Sequence, residues 1–236
     1  MTGTEQRHIV KSYEQELDQL RDLLARMGGL VEAQTSHAVN AMLFRDAGDA
    51  AAAMEGDAAV DALEREIEQL AIRLLALRSP LAQDLRGIVA ALKISGDLER
   101  IGDYAANVAK RSMRIEAVNP AMASGGMRSL ARLVQESLKL AVDAVNNNDA
   151  SIALEVWRAD RAVDDLYTAM FRELITYMME DPRSITASTH MLFIAKNLER
   201  IGDHATNIAE RVHYAVTGDM LPAERPRGQT PVRDGE

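Results

Sequence analysis

Cysteine is absent from all 236 residues, which excludes thiolate zinc sites, cysteine-ligated iron–sulfur clusters and thiol chemistry. Aromatic residues make up only 4% of the chain, and there are 6 prolines and 14 glycines. Helix formers therefore fill most positions, a composition hard to reconcile with a sheet. No stretch approaches the roughly eighteen uncharged apolar residues of a membrane span. The N-terminal MTGTEQRHIVKSYEQEL has no apolar signal-peptide core, and with the lack of cysteine this points to the cytoplasm. A basic excess is also missing. The net charge is −9 and arginines such as Arg73, Arg78 and Arg86 are dispersed, which argues against a nucleic-acid footprint. No G-x-G-x-x-G, Walker or triad-like pattern is present.

What the chain does contain is a repeat. LERIGD occurs at Leu98 and again at Leu198, and ten of fourteen residues match between LERIGDYAANVAKR and LERIGDHATNIAER. A match of that length reads as internal duplication. The spacing predicts six helical segments in two similar halves. The first spans about 7–45, with Gly28-Gly29 a point where it could kink. The turn Arg45–Asp49 follows, with Asp49 as the expected N-cap. The second carries Val60, Leu63, Ile67, Leu70 and Leu74 and stops at Ser79-Pro80; the third occupies 81–118. Asn119-Pro120 and Ser124-Gly125-Gly126 mark the boundary between halves.

The fourth segment covers 127–146, and Asp149 is placed to cap a fifth that runs to Met179. Asp181-Pro182 separates it from a sixth at 184–217. Short connections imply antiparallel neighbours, so the expected fold class is all-α: two tandem three-helix bundles, 7–118 and 125–217, related by duplication. The tail over 219–236 has no apolar periodicity and reads as disordered.

The repeated helices carry an acidic ladder. Leu85, Val89, Leu92 and Gly96 lie on a stripe that continues as Glu99, Asp103 and Asn107, with Leu98, Ile101, Ala105 and Val108 as the adjacent apolar seam. The second half repeats this as Glu199, Asp203 and Asn207. The preceding helices add Asp57 and Asp61, then Asp160 and Asp164, each pair at i,i+4 around a valine. If these helices pack antiparallel, each half gathers four carboxylates, with an asparagine as a further neutral oxygen. That donor set suits hard cations: Mg, Mn, Ca, or Fe in an oxygen-rich site. Four carboxylates exceed what one divalent ion neutralises, so more than one metal per half is reasonable. Gly102 and Gly202, beside both Asp residues, suggest that another backbone or a ligand needs room there.

The competing reading is structural: surface acid ladders pair with arginine across helices, and Arg100 and Arg200 follow the glutamates directly. His204 points about 100° away from Asp203, and the Glu5/His8 and Glu210/His213 spacings sit at helix ends without the central glutamates of a di-iron bundle. Trp157 and the methionines fit packing.

On the doubled Glu-Arg-Ile-Gly-Asp-x-x-x-Asn motif, with an Asp-x-x-x-Asp helix before each copy, the chain resembles the PhoU family along about 7–217. The resemblance implies a pair of three-helix bundles with multinuclear iron or zinc, or related metal, at the acidic motifs. Those positions are Asp57, Asp61, Glu99 and Asp103, then Asp160, Asp164, Glu199 and Asp203, with Asn107 and Asn207 also matching. It further implies a cytoplasmic, commonly dimeric, non-catalytic negative regulator of the phosphate-starvation response. Such a regulator would connect a phosphate ABC transporter to a membrane histidine kinase without spanning the membrane itself. The halves are not equivalent throughout, since His37 stands where the repeat puts Leu140. Two rival readings remain: a carboxylate-bridged metalloenzyme of phosphohydrolase or oxidase type, and a purely structural helical scaffold.

Overall fold

A computed structural model describes residues 3–115 and 125–222, with side chains from residue 12 onward. The first half comprises α1 (Gly3–Phe44), α2 (Ala47–Glu55), α3 (Asp57–Arg78) and α4 (Ala82–Ser112). The second comprises α5 (Gly125–Asn147), α6 (Ala150–Glu180) and α7 (Ile185–Thr217), the last preceded by a 3-10 turn at Pro182–Ser184. Long helices α1, α3 and α4 form one three-helix bundle and α5, α6 and α7 the other. The extra helix α2 arises because the expected second segment breaks at Gly56.

Several terminators behave as their chemistry dictates. Asp149 accepts hydrogen bonds from the Ser151 and Ile152 amides at the start of α6. Ser79 closes α3 in the left-handed region (φ 48°) ahead of Pro80, which cannot continue a helix. The cap of α2 is Asp46, not Asp49: Asp46 Oδ1 accepts from the Asp49 amide at 2.9 Å. Asp49 instead bonds His37 Nδ1 at 2.6 Å and ties α2 to α1. Helix α4 ends at Ser112 rather than 118, where the chain turns through Arg114 and Ile115. Residues 116–124 and 223–236, including most of the tail expected to be disordered, lie outside the described residues, as do the side chains of Glu5 and His8.

The core follows the helical period. Leu98, Ile101, Ala105 and Val108 on α4, and Leu198, Ile201, Ala205 and Ile208 on α7, are all fully buried. The stripe through Leu85, Val89, Leu92 and Gly96 is not the core but its half-exposed edge; Ile88, Ala91 and Ile94 face inward instead. In the first half the acidic ladder thus continues an edge, which keeps Glu99 and Asp103 near water and spares them the cost of full desolvation.

Helices α4 and α7 also pack on each other and join the bundles. Tyr104 and His204 occupy equivalent places in the repeat, and their rings meet at 5.7 Å. On one side of them, buried Asp97 accepts hydrogen bonds from His204 Nδ1 at 2.8 Å and Arg211 Nε at 2.5 Å. On the other, the Arg111 guanidinium lies 4.2 Å over the Phe193 ring. The duplication therefore brackets its own interface with two different cation contacts.

Helix α1 continues unbroken through Gly28-Gly29. Gly28 serves close approach: a Cβ there would meet Val142 Cγ1 of α5 at 2.8 Å. Valine is stiff about χ1 and has little room to yield. Gly28→Ala is expected to lower stability by about 1 kcal/mol, overpacking outweighing alanine's better helix propensity. In a Val142→Ala background the same change should stabilise. A urea-denaturation double-mutant cycle measures this; additive effects would contradict the contact.

Candidate metal centre

The second half brings three expected ligands together. Asp164 from α6 and Glu199 and Asp203 from α7 each offer a carboxylate oxygen, and these oxygens lie within 4.8 Å of one another. Among the described residues only this trio converges so closely. Burial is graded across it: Asp164 is exposed, Asp203 half-buried, and Glu199 only 9% exposed. The Lys196 ammonium donates to Glu199 Oε1 at 2.7 Å. Glu199 Oε2 lies 2.6 Å from the same nitrogen, so the ammonium pairs with both oxygens of this carboxylate. Arg200 stands at the margin, 4.0 Å from Glu199.

Asp160, one turn before Asp164, lies outside the trio. It is buried and accepts a 2.7 Å hydrogen bond from the Thr206 hydroxyl, which fixes α6 against α7. Asn207 is half-buried and Asn107 exposed.

In the first half Asp57 and Asp61 on α3 lie near enough to Glu99 and Asp103 on α4 for their charges to act on one another. Burial, then the charges of Asp103 and Asp61, push the Asp57 carboxyl up, against a hydrogen bond from Gln34. Burial and Asp103 push Glu99 up as well, with Glu64 and Asp61 adding to it and Arg100 opposing. Arg100 spans the ladder, 3.6 Å from Glu99 and 3.7 Å from Asp103.

Two residues of this site escape a reading of the repeat alone. Glu64 lies one turn beyond Asp61 on α3, and burial and Asp61 raise its carboxyl too. Gln34 of α1 is 2% exposed and donates to the Ala53 carbonyl at 2.8 Å, while its Oε1 has no partner. Glu64 could have been found from its i+3 spacing to Asp61, and Gln34 as a polar residue inside an apolar stripe.

The glycines beside the aspartates explain how the acids meet. A Cβ on Gly202 would lie 3.1 Å from Val163 Cγ1, and one on Gly102 would lie 3.0 Å from Gln34 Oε1 and 3.6 Å from Val60 Cγ1. The room is used by the valine between each aspartate pair, and by Gln34, rather than by a backbone or ligand. With glycine there, the Asp-x-x-x-Asp helix comes close enough for its carboxylates to approach the ladder.

Chemically, this is a set of carboxylate oxygen donors from two adjacent helices, graded from exposed to buried in the second half. Such a set fits a hard or borderline cation, and three or more carboxylates leave charge for more than one ion. The acids do not line the cavity of about 320 Å³ found between the bundles, whose walls include Leu20, Leu24, Ile88, Ala91, Val145 and Val212.

Crowded acids oppose folding when no cation is bound. A carboxyl raised in the folded state binds its proton more tightly there than in the unfolded chain, so stability rises as pH falls from neutrality through the raised value. Glu99→Gln removes one member of the crowd. It is expected to raise the Tm of metal-free protein at pH 7 by about 1–2 °C, from a few tenths of a kcal/mol per relieved pair. Calorimetry checks this; a fall in Tm would mean that Arg100 outweighs the repulsion.

Comparison with known proteins matches this arrangement to one family. The PhoU domain model matches twice, over residues 24–112 and 127–212, once per repeat. The chain is 50% identical over 221 residues to a phosphate-specific transport system accessory protein PhoU homolog of Caulobacter vibrioides, covering 93% of this chain and 96% of the relative. A homolog of the same description from Xylella fastidiosa is 48% identical over 223 residues, 94% of this chain and 92% of that one. Among solved structures, PhoU from Pseudomonas aeruginosa superposes with a TM-score of 0.85 at 43% identity, covering 88% of this chain and all of the other. The phosphate transport system regulatory protein PhoU from Streptococcus pneumoniae gives 0.81 at 30% identity, covering 89% and 99%. Paired bundles, a doubled acidic ladder, a domain model that fits each copy and near-full-length relatives agree: the chain belongs to the PhoU family.

Proposed function

We propose that this protein is a non-catalytic regulator of phosphate transport and phosphate-starvation signalling, with metal held at the acidic helix faces. In this reading the lobes 7–118 and 125–217 are its working units, and it acts in the cytoplasm as a homodimer. It couples a phosphate ABC transporter, through its ATPase, to a sensor histidine kinase and restrains both when phosphate is plentiful.

The observation that carries this is near-full-length identity of about half to accessory proteins of phosphate-specific transport. A regulatory rather than catalytic role accords with the location of the acids, on open helix edges apart from the inter-bundle cavity. No described helix is long and apolar enough to cross a membrane, so contact with membrane complexes is through partner proteins. Bound Fe or Zn, or alternatively Mn, Mg or Ca, would neutralise the two ladders and lock α3 to α4 and α6 to α7. Ligation needs deprotonated carboxylates, so acid releases the metal.

The test is affinity purification of the tagged full chain from cells grown with and without phosphate. Recovery of a transporter ATPase and a histidine kinase in replete medium is expected, with starvation genes switched on constitutively when the chain is deleted. Normal repression in the deletion strain would contradict the reading.

A further inference from the structure

Among the differences between the two acidic sites, two equivalent positions bear on charge. Where the first half has Glu64 and Gly96, the repeat puts Tyr167 and Lys196 in the second. In the first half the space over Gly96 is open, with Glu64 Oε1 the nearest atom to a built Cβ, at 3.7 Å. In the second, the Lys196 ammonium stands 5.1 Å from the centre of the Tyr167 ring and 2.6–2.7 Å from both oxygens of Glu199. Both halves keep an arginine at the margin, at 3.6 and 4.0 Å from the respective glutamate. Among the described residues, only in the second is a cation hydrogen-bonded to a ligand carboxylate; Arg100 in the first stays 3.6–3.7 Å from Glu99 and Asp103.

We infer that Lys196 is a built-in competitor for metal at the second site, making it the weaker and more readily emptied of the two. The inference rests on the metal reading above. An ion entering among Asp164, Glu199 and Asp203 must displace an ammonium that already satisfies part of Glu199's charge, and the Tyr167 face gives the displaced ammonium a place to rest. Among the described residues the first site has no ammonium in that place, its Arg100 standing 3.6–3.7 Å off Glu99 and Asp103, and Glu64 adds a carboxylate beside Asp61. One duplicated motif thereby yields a site that stays loaded and a site that responds to metal supply.

Manganese(II) titration of the full-length protein, followed by calorimetry and by the EPR signal of free Mn²⁺, tests this. Two affinity classes are expected. Glu99→Gln/Asp103→Asn removes the tighter class and Glu199→Gln/Asp203→Asn the weaker. Lys196→Met keeps the alkyl stem over Tyr167 and should tighten the weaker class by about tenfold or more, as removal of a charge in contact with the ligand implies. Gly96→Lys should weaken the tighter class in the reverse sense, with circular dichroism confirming that each variant folds. Equal classes in the parent protein, or a Lys196→Met variant with unchanged affinities, would overturn this inference and leave the metal reading intact. Absence of any Mn²⁺ binding would overturn both.

Discussion

Replacing Asp97 with alanine is expected to cost about 3–5 kcal/mol of folding stability. Asp97 sits at the contact between α4 and α7, its side chain 7% exposed, holding His204 and Arg211 at 2.8 and 2.5 Å. Alanine would leave the Arg211 cation part-buried with no counter-charge, and it would strip His204 of its partner. At about 2–4 °C per kcal/mol for a chain of this size, Tm should fall by roughly 10 °C.

Asp97→Asn should fall between the two, since it keeps an acceptor oxygen and is the residue the repeat carries as Asn197. Acid should mimic the loss. Burial alone would raise the Asp97 carboxyl, but the hydrogen bonds from His204 and Arg211 and their charges outweigh it and hold it below the usual carboxylate range. A lowered carboxyl contributes stability that is complete above its unfolded value and disappears as pH falls through its folded value. The alanine variant should therefore lose less stability than the parent as pH falls below about 4, an aspartate's ordinary value. Urea denaturation across that range measures both effects. A change under 1 kcal/mol at pH 7 would show that α4 and α7 are held by their apolar contacts alone.

The second large effect concerns metal. Glu99→Ala together with Asp103→Ala should abolish metal at the first lobe and leave the second lobe's content unchanged. Neutralising those acids also removes like-charge repulsion, so the metal-free double variant should be no less stable than its parent. Ligand binding stabilises by RT ln(1 + [L]/Kd), about 2.7 kcal/mol at a hundredfold excess over Kd. The double variant should lose that increment for one site. The combination of lost metal stabilisation and undiminished metal-free stability separates a cation site from a structural ion pair, because breaking a structural pair would lower metal-free stability. Plasma emission analysis with thermal melts in metal and in chelator tests it, and unchanged metal content would remove Glu99 and Asp103 from the site.

The helical architecture was legible in the sequence because its signals are local. Apolar residues at three- and four-residue spacing, Asp149, Ser79-Pro80 and Asp181-Pro182 each act within a turn or two of themselves. The duplicated motif likewise marks two acid-bearing helices in each half, and in the second half the structure brings Asp164, Glu199 and Asp203 together. What escaped depends on contacts between distant segments. Gly28 reads locally as a kink, and only the approach of Val142 from α5 gives it another purpose. Gly102 and Gly202 read as room for something, and it takes the packed helices to show that the valines and Gln34 use it.

Asp97 stands one residue before the motif, and its role needs two partners more than a hundred residues away. Asp46 and Asp49 both suit an N-cap by local chemistry; the structure gives the cap to Asp46 and pairs Asp49 with His37. Lys196 was visible as the i,i+3 neighbour of Glu199, but its weight appears only beside Gly96, its counterpart in the repeat.

The central claim is that helix-borne carboxylates from neighbouring rods converge to hold cations in each lobe. Anomalous diffraction from crystals of the full chain grown with manganese tests it most directly. A peak is expected bounded by Asp164, Glu199 and Asp203, with the Lys196 ammonium swung off Glu199, and a stronger one among Asp57, Asp61, Glu99 and Asp103. Peaks confined to other surfaces, at metal concentrations that saturate binding in solution, would contradict it.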